Sequence, residues 1–133
     1  MPDQRNVQQL ILNLPCRVRL PEDAETFFAH RGPLASQYDE QRRYPRFHCR
    51  TEAALVCKKS LPGCPRQERN YRIYVKDISR SSIAFLHFEQ LFPCERAEVI
   101  MFDGGVRSIE ISRCRKLQSD CYEVVGHFEV VLD

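Results

Sequence analysis

From about residue 47 onward, apolar and polar residues alternate with a period of two, the pattern of β-strands that bury one face. The stretch RFHCRTEAALVCKK has one apolar face, which is formed by Phe47, Cys49, Ala53, Leu55 and Cys57. The stretch YRIYVKD repeats the pattern with Tyr71, Ile73 and Val75. We therefore predict two consecutive strands, with KSLPGCPRQERN as the loop between them.

Four more strand patterns follow at short spacing: SIAFLHF, RAEVIMF, VRSIEISRCRK and CYEVVGHFEVV. The first of these is apolar at most positions, so we expect it to be buried on much of both faces. The sequence DGG at residues 103–105 is a strong hairpin signal, and LQSD at residues 117–120 predicts a turn. Six strands joined mainly by hairpin-type loops predict a mainly β fold, a six-stranded antiparallel sheet curled into a barrel.

The beginning of the chain has a different periodicity. In the stretch NVQQLILNL, the apolar residues Val7, Leu10, Ile11 and Leu14 fall at helical spacing. Pro15 would end such a helix, because proline cannot continue the hydrogen-bond pattern. The spacing favours a helix, although a strand is also compatible with this short run.

The stretch PEDAETFFAHRG predicts a second helix. Pro21 fits the first helical position, Arg31 lies near the end, and Gly32 follows the last turn. The stretch GPLASQYDE then reads as a linker. We therefore divide the chain into an N-terminal helical extension with its linker, residues 1–40, and a barrel domain, residues 41–133.

Composition and charge limit the classes of function that the chain could have. The chain has 133 residues and is 43% hydrophobic, which suits one domain with one core. Its net charge of only +2 argues against a broad basic face for a nucleic-acid polymer. No apolar run is long enough for membrane insertion, and the N-terminus lacks a signal-peptide pattern. Seven cysteines without a secretion signal favour free thiols and a cytoplasmic location.

Cations are concentrated in the stretch YDEQRRYPRFHCR, residues 38–50, which contains Arg42, Arg43, Arg46 and Arg50. Pro45 disfavours a helical conformation at Tyr44, so we interpret the stretch as an extended arm. A guanidinium can bind phosphate through two hydrogen bonds, stack on a base, or pair with the edge of a guanine. A solvated charged turn before the strand is the alternative interpretation.

A second candidate is KDISRSS, residues 76–82, at the end of the predicted YRIYVKD strand. An ionised Asp77 could accept the N–H donors of a guanine edge, and the turn's hydroxyl and backbone groups could meet a phosphate. Alternatively, Asp77 and Ser79 bond only to backbone groups of their own turn, as these residue types commonly do at strand ends.

Taken together, RRYPRF followed by DISRSSI is similar to the PilZ domain, a bacterial receptor for the second messenger cyclic di-GMP. The family pattern is R-x-x-x-R on a mobile arm, then D/N-x-S-x-x-G on a β-barrel some thirty residues later. The stretch YEVVGHF also resembles the last strand of the family. The resemblance covers about residues 41–131 and implies a PilZ-type barrel.

The resemblance implies a set of cyclic di-GMP-binding residues: Arg42, Arg43, Arg46, Asp77, Ser79 and Ser82. Arg42 and Arg46 would hold phosphates and guanine edges, and Arg43 would stack. Asp77 would accept guanine N–H donors, with Ser79 contacting the ligand beside it. The pair Arg46 and Arg50 also fits R-x-x-x-R, but Arg46 directly precedes the apolar strand, as the second arginine does in the family.

One residue departs from the family pattern, because Ser82 occupies the position of the glycine. Glycine permits a positive φ and close approach of a ligand. A serine held in the left-handed region would be strained by about 1 kcal/mol. Either the turn adopts another geometry, or the ligand lies farther from the backbone.

The resemblance therefore implies a regulatory receptor without catalysis or a cofactor, whose arm becomes ordered on cyclic di-GMP and which then acts on a protein partner. The sequence shows no catalytic constellation and no zinc-type cysteine spacing. The alternative is a degenerate PilZ-like module that binds a protein partner but not the nucleotide. A barrel for single-stranded nucleic acid is less favoured, because it would need aromatic residues interleaved with a basic groove.

Overall fold

In the computed structural model of the chain, the residues described are 4–20, 31–33, 47–63 and 70–129. They form a helix and seven strands: α1 (Gln4–Leu12), β1 (Arg31–Pro33), β2 (Phe47–Lys59), β3 (Asn70–Ile78), β4 (Ser82–His87), β5 (Arg96–Met101), β6 (Val106–Gln118) and β7 (Cys121–Phe128). Within these ranges, no helix has the length and apolar character needed to cross a lipid bilayer.

Six of the strands form a closed antiparallel barrel. Their order is β2-β3-β4-β7-β6-β5, and the pairing of β5 with β2 closes the sheet. This confirms the predicted mainly β fold, a six-stranded antiparallel barrel preceded by a helix. Closure pairs both edges of every barrel strand, so the barrel needs no other device against edge-to-edge aggregation.

The barrel interior is filled by the inward face of each strand. Its members include Leu55, Ile73, Val75, Phe85, Val99, Ile109, Ile111 and Val124. On β3 the predicted alternation is confirmed, because Tyr71, Ile73 and Val75 are buried and their polar neighbours are half-buried. Five consecutive residues of β4 are buried, so this strand is covered on both faces, as its sequence predicts.

The two predicted turns differ in outcome. At DGG, Gly104 has a φ of +96°, and its N–H donates to the Met101 carbonyl, which confirms the hairpin. At LQSD, β6 continues through Gln118, which pairs with Cys121. The prediction of a turn over residues 117–120 is therefore wrong at its start. The shorter turn is possible because Asp120 takes a φ of +58°, a conformation that aspartate tolerates.

Helix α1 lies on the outside of the barrel and confirms the helical interpretation of NVQQLILNL. Val7 and Ile11 pack against Ala54, which is on the outer face of β2, together with the partly buried Leu14. Leu10 is 65% exposed, so it lies off this apolar stripe despite its spacing. The helix ends before Pro15, as predicted.

The predicted second helix lies largely outside the described residues, but its end does not. Arg31, Gly32 and Pro33 form β1, antiparallel to the first three residues of β2. The prediction that Arg31 ends a helix and that a linker begins at Gly32 is therefore wrong at these residues. Backbone pairing with β2 satisfies their hydrogen bonds and outweighs the local helical pattern.

Residues 15–20 form an irregular segment that joins α1 to one end of the barrel. Arg72 N–H donates to the Pro15 carbonyl at 2.9 Å, and Arg19 N–H donates to the Asp120 carbonyl at 2.9 Å. The Gln118 side chain donates to the Arg19 carbonyl at 2.7 Å. The segment thus ties β3 to the turn between β6 and β7, at the barrel end opposite the Ser79–Ser82 turn.

A candidate ligand-binding cleft on the barrel wall

A β-bulge in β3 turns Asp77 away from the core. Val75 pairs with Phe85 and Asp77 pairs with Ala84, so Lys76 is the extra residue that has no partner of its own. Under strict alternation, Asp77 would follow Val75 into the barrel interior. Because the bulge inserts one residue, Lys76 and Asp77 both lie on the outer face of the barrel.

A bulge in β6 likewise turns Arg113 away from the core. Ile111 pairs with Gly126 and Arg113 pairs with Val125, so Ser112 is the extra residue here. The Ser112 hydroxyl donates to the Val125 carbonyl at 3.1 Å, which satisfies one polar group of the distorted ladder. Ile111 remains in the core, while Arg113 is exposed on the outer face.

Between the two bulges lies a cleft of about 340 Å³. It is lined by Lys76, Asp77, Arg113, Cys114, Arg115, Glu123 and Val125. Three cations and two carboxylates therefore line it, which gives a formal excess of one positive charge. The cleft combines a hydrogen-bond acceptor, basic groups and an apolar surface at Val125, which suits a small anionic ligand with an aromatic or heterocyclic part.

An ion network across β4 holds one side of this cleft in place. Lys76 Nζ lies 2.5 Å from Glu123 Oε2, and Arg115 Nη2 lies 3.4 Å from Glu123 Oε1. Because β4 separates β3 from β7, the Lys76–Glu123 pair spans that strand. Burial alone would raise the pKa of Glu123, but the hydrogen bond and charge of Lys76, with the charges of Arg115 and Arg113, outweigh it and lower the pKa. Glu123 is therefore ionised at neutral pH.

Of the predicted site residues, Asp77 is described and lines the cleft. The residue is 2% exposed, and it already interacts with other groups of the chain. A buried carboxylate is stable in a fold only with such partners. An incoming N–H donor would therefore share or replace the existing interactions of Asp77.

Ser79 shapes the turn between β3 and β4. Its hydroxyl oxygen accepts from the backbone N–H groups of Ser81 at 3.2 Å and Ser82 at 3.1 Å. Its own N–H donates to the Ser82 carbonyl at 2.9 Å. These bonds correspond to the turn-forming alternative for Ser79, whose hydroxyl also donates to the Ser82 carbonyl at 3.5 Å.

Ser82 occupies the glycine position of the family pattern, so its backbone conformation decides whether the turn is strained. Among the described non-glycine residues, a positive φ occurs at Cys94 and Asp120 and not at Ser82. Ser82 begins β4, and its hydroxyl lies 3.2 Å from that of Ser79. The turn therefore adopts a geometry that serine accepts, so the left-handed strain considered for Ser82 does not arise.

The three predicted arm residues, Arg42, Arg43 and Arg46, lie outside the described residues. Strand β2, which follows them in the sequence, is described, and its register shows which end of the barrel its first residues occupy. Phe47 pairs with Ile78, and His48 pairs with Asp77. Since Arg46 is bonded to Phe47, the arginine-rich stretch joins the barrel at the end where Asp77 and the Ser79–Ser82 turn lie.

Sequence reasoning missed the basic residues on the cleft's far side. Arg113 and Arg115 are two positions apart in SRCRK, which places both on one face of a strand. That spacing was readable as a basic pair. The sequence did not predict which strand lies beside this pair. Only the pairing of β6 with β7 brings Glu123 opposite Arg115.

The described cysteines and possible metal ligands were also compared with the requirements of disulfide and metal sites. Five cysteines whose side chains the structure describes are free thiols: Cys16, Cys57, Cys94, Cys114 and Cys121. Cys57 packs in the core, as its strand position predicts. Among the described residues, no three His, Cys, Asp or Glu side chains are grouped to hold a metal ion.

Comparison with the models of known protein families and with curated proteins found no match to the chain. The candidate function therefore depends on the site itself and on the sequence motifs.

Proposed function

We propose that the protein is a PilZ-type receptor for cyclic di-GMP that acts without catalysis in the cytoplasm. The observation that carries the proposal is the outward position of Asp77, in a basic cleft near the barrel end that the arginine-rich stretch joins at Phe47. A carboxylate accepts the adjacent N–H donors of a guanine edge, and arginine is suited to phosphate. Both halves of the motif can therefore act on one ligand.

Binding is expected to work through charge. Arg42, Arg43 and Arg46 repel one another within a short stretch, and phosphate charge on the ligand offsets part of this repulsion. The arm is then drawn against the barrel near Asp77, which changes the surface offered to a regulatory protein partner. The Ser79 hydroxyl supports this arrangement mainly by shaping the turn beside Asp77.

A thermal melt with and without cyclic di-GMP tests the proposal. A ligand at a hundred times its dissociation constant adds about 2.7 kcal/mol to the free energy of unfolding. For a chain of this length, that raises the melting temperature on the order of 10 °C. An unchanged melting temperature at saturating ligand would refute nucleotide binding and favour the alternative, a PilZ-like module that binds only a protein partner.

Arg46→Ala tests the arm within the same assay. Loss of a charged hydrogen bond costs about 2 kcal/mol of binding, or roughly a 30-fold higher dissociation constant. At the ligand concentration used above, the stabilisation then falls to about 0.9 kcal/mol. Arg50→Ala is the matched control and keeps the full shift. If both Arg46→Ala and Arg50→Ala reduced the shift, the arm would be Arg46 and Arg50 instead of Arg42 and Arg46.

A further inference from the structure

Four consecutive strands carry one straight row of residues across the outer wall of the barrel. Asp77 pairs with Ala84, Ala84 with Val125, and Val125 with Arg113. Neighbouring strands are about 4.8 Å apart, so the backbones of Asp77 and Arg113 are separated by about 14 Å along the wall. A ligand lying over Val125 can therefore meet the carboxylate at one end and a guanidinium at the other.

Arg113 is the cation of the cleft that the fold leaves available. Lys76 and Arg115 both pair with Glu123, whose single carboxylate offsets one of their two charges. Arg113 is exposed and forms no salt bridge within the described part of the chain. Arg113 therefore places a positive charge that has no salt bridge within the described residues at the end of the row opposite Asp77.

The size of the cleft limits what it can hold. A volume of about 340 Å³ is at the lower end of the range of small-ligand pockets, roughly 300–1,000 Å³. This suits one base with its sugar and phosphate better than a complete dinucleotide. The remainder of a larger ligand would lie outside the cleft.

We propose that the barrel wall itself holds a guanine nucleotide subsite, in which Asp77 binds the base and Arg113 binds a phosphate. The inference rests on the proposed function for the ligand's identity. It adds a phosphate-binding residue on β6, far in sequence from both motifs. One half of cyclic di-GMP binds between Asp77 and Arg113, and the arm arginines bind the other half. The subsite is built from barrel residues alone and does not require the arm.

Arg113→Ala tests this role, with Lys116→Ala as the matched control. Lys116 is an exposed cation on the same strand, and it lies outside the lining of the cleft. Both variants lose one positive charge, so they change the net charge of the protein equally. Calorimetry measures cyclic di-GMP binding by the wild type and both variants. An NMR titration compares GMP with guanosine, which lacks the phosphate.

We expect Arg113→Ala to weaken cyclic di-GMP binding at least about 10-fold, because a charged hydrogen bond to phosphate is lost. Lys116→Ala should change it less than about 2-fold, the effect of a distant screened charge. The wild type should bind GMP more tightly than guanosine, and Arg113→Ala should remove that preference.

The outcomes separate the two proposals. If cyclic di-GMP binds equally well to the wild type and to Arg113→Ala, the subsite is refuted and the receptor function stands. If the wild type ignores cyclic di-GMP but binds GMP through Arg113, the receptor function is refuted and the subsite stands. If it binds neither nucleotide, both are refuted. An equal loss in Lys116→Ala would also refute a specific role for Arg113.

Discussion

Gly126 is the position where the packing of the barrel allows a worked prediction. It lies on β7 opposite Ile111 and faces the core beside the fully buried Ile109. A Cβ built on Gly126 would lie 2.8 Å from Ile109 Cδ1 and 3.2 Å from Ile109 Cβ. The first distance is shorter than real Cβ contacts, so Gly126→Ala must displace the isoleucine side chain within a closed barrel.

The cost has two opposing parts. Overpacking of a filled core typically costs about 1–3 kcal/mol. Because Gly126 does not have a positive φ, alanine also gains about 0.4–1 kcal/mol by restricting the unfolded chain. We therefore expect Gly126→Ala to lower the free energy of unfolding by about 1–2 kcal/mol.

Ile109→Val provides the matched test, because it removes the Cδ1 atom that makes the closest contact. Alone, this change should cost about 0.5–1.5 kcal/mol. In the double variant the new methyl group occupies part of the vacated space. The double variant should therefore be about 1 kcal/mol more stable than the sum of the two single changes predicts.

Urea denaturation followed by circular dichroism measures all four proteins, with equal m values as the sign that the unfolding transition is unchanged. Costs that add to within about 0.4 kcal/mol would show that the Ile109 contact does not limit this site. A neutral Gly126→Ala would refute the close approach of β7 to β6 on which the packing argument depends.

Three further predictions concern residues of the cleft and of the neighbouring turn. Glu123→Gln should cost on the order of 1 kcal/mol at pH 7, since it removes the half-buried partner of Lys76 and Arg115. Because the folded-state pKa of Glu123 is lowered, this stability is present above the unfolded pKa of about 4.3 and is lost as the pH falls through the folded value. Urea curves of the variant and the wild type should thus converge below about pH 4; a constant gap down to pH 2 would contradict an electrostatic origin. Ser79→Ala should cost about 1–3 kcal/mol in the same assay, because two backbone N–H groups lose their acceptor, whereas Ser82→Gly should cost only about 0.5–1 kcal/mol and should not tighten cyclic di-GMP binding. Tighter binding by Ser82→Gly would show that serine does strain the liganded turn.

The barrel was predictable because most of its strands carry a period-two pattern, as in Tyr71, Ile73 and Val75. The bulges were not predicted, although each left a trace in the sequence. The inward residues Val75 and Ile78 are three positions apart, and so are Ile111 and Cys114. A spacing of three within a strand indicates an extra residue, but which of the intervening residues turns outward depends on the partner strand.

The rest of the candidate site depended on contacts between distant parts of the chain. The motif identified Asp77 and Ser79, but the sequence could not show that Ser79 bonds within its turn or that Ser82 has an ordinary φ. The cleft's far wall, with Arg113, Arg115 and Glu123, exists only because β6 and β7 pair with a shifted register. The strand at Arg31 likewise forms through pairing with β2, and local sequence preference alone does not predict this pairing.

The central claim is that Asp77 recognises guanine on a nucleotide held by arginines. Titration calorimetry with cyclic di-GMP and, in parallel, cyclic di-AMP tests it most directly. The two ligands share their phosphates and sugars, but adenine lacks the pair of adjacent N–H donors that a carboxylate accepts from guanine. We predict saturable binding of cyclic di-GMP and at least about 10-fold weaker binding of cyclic di-AMP. No binding of cyclic di-GMP, or equal affinity for both ligands, would contradict it.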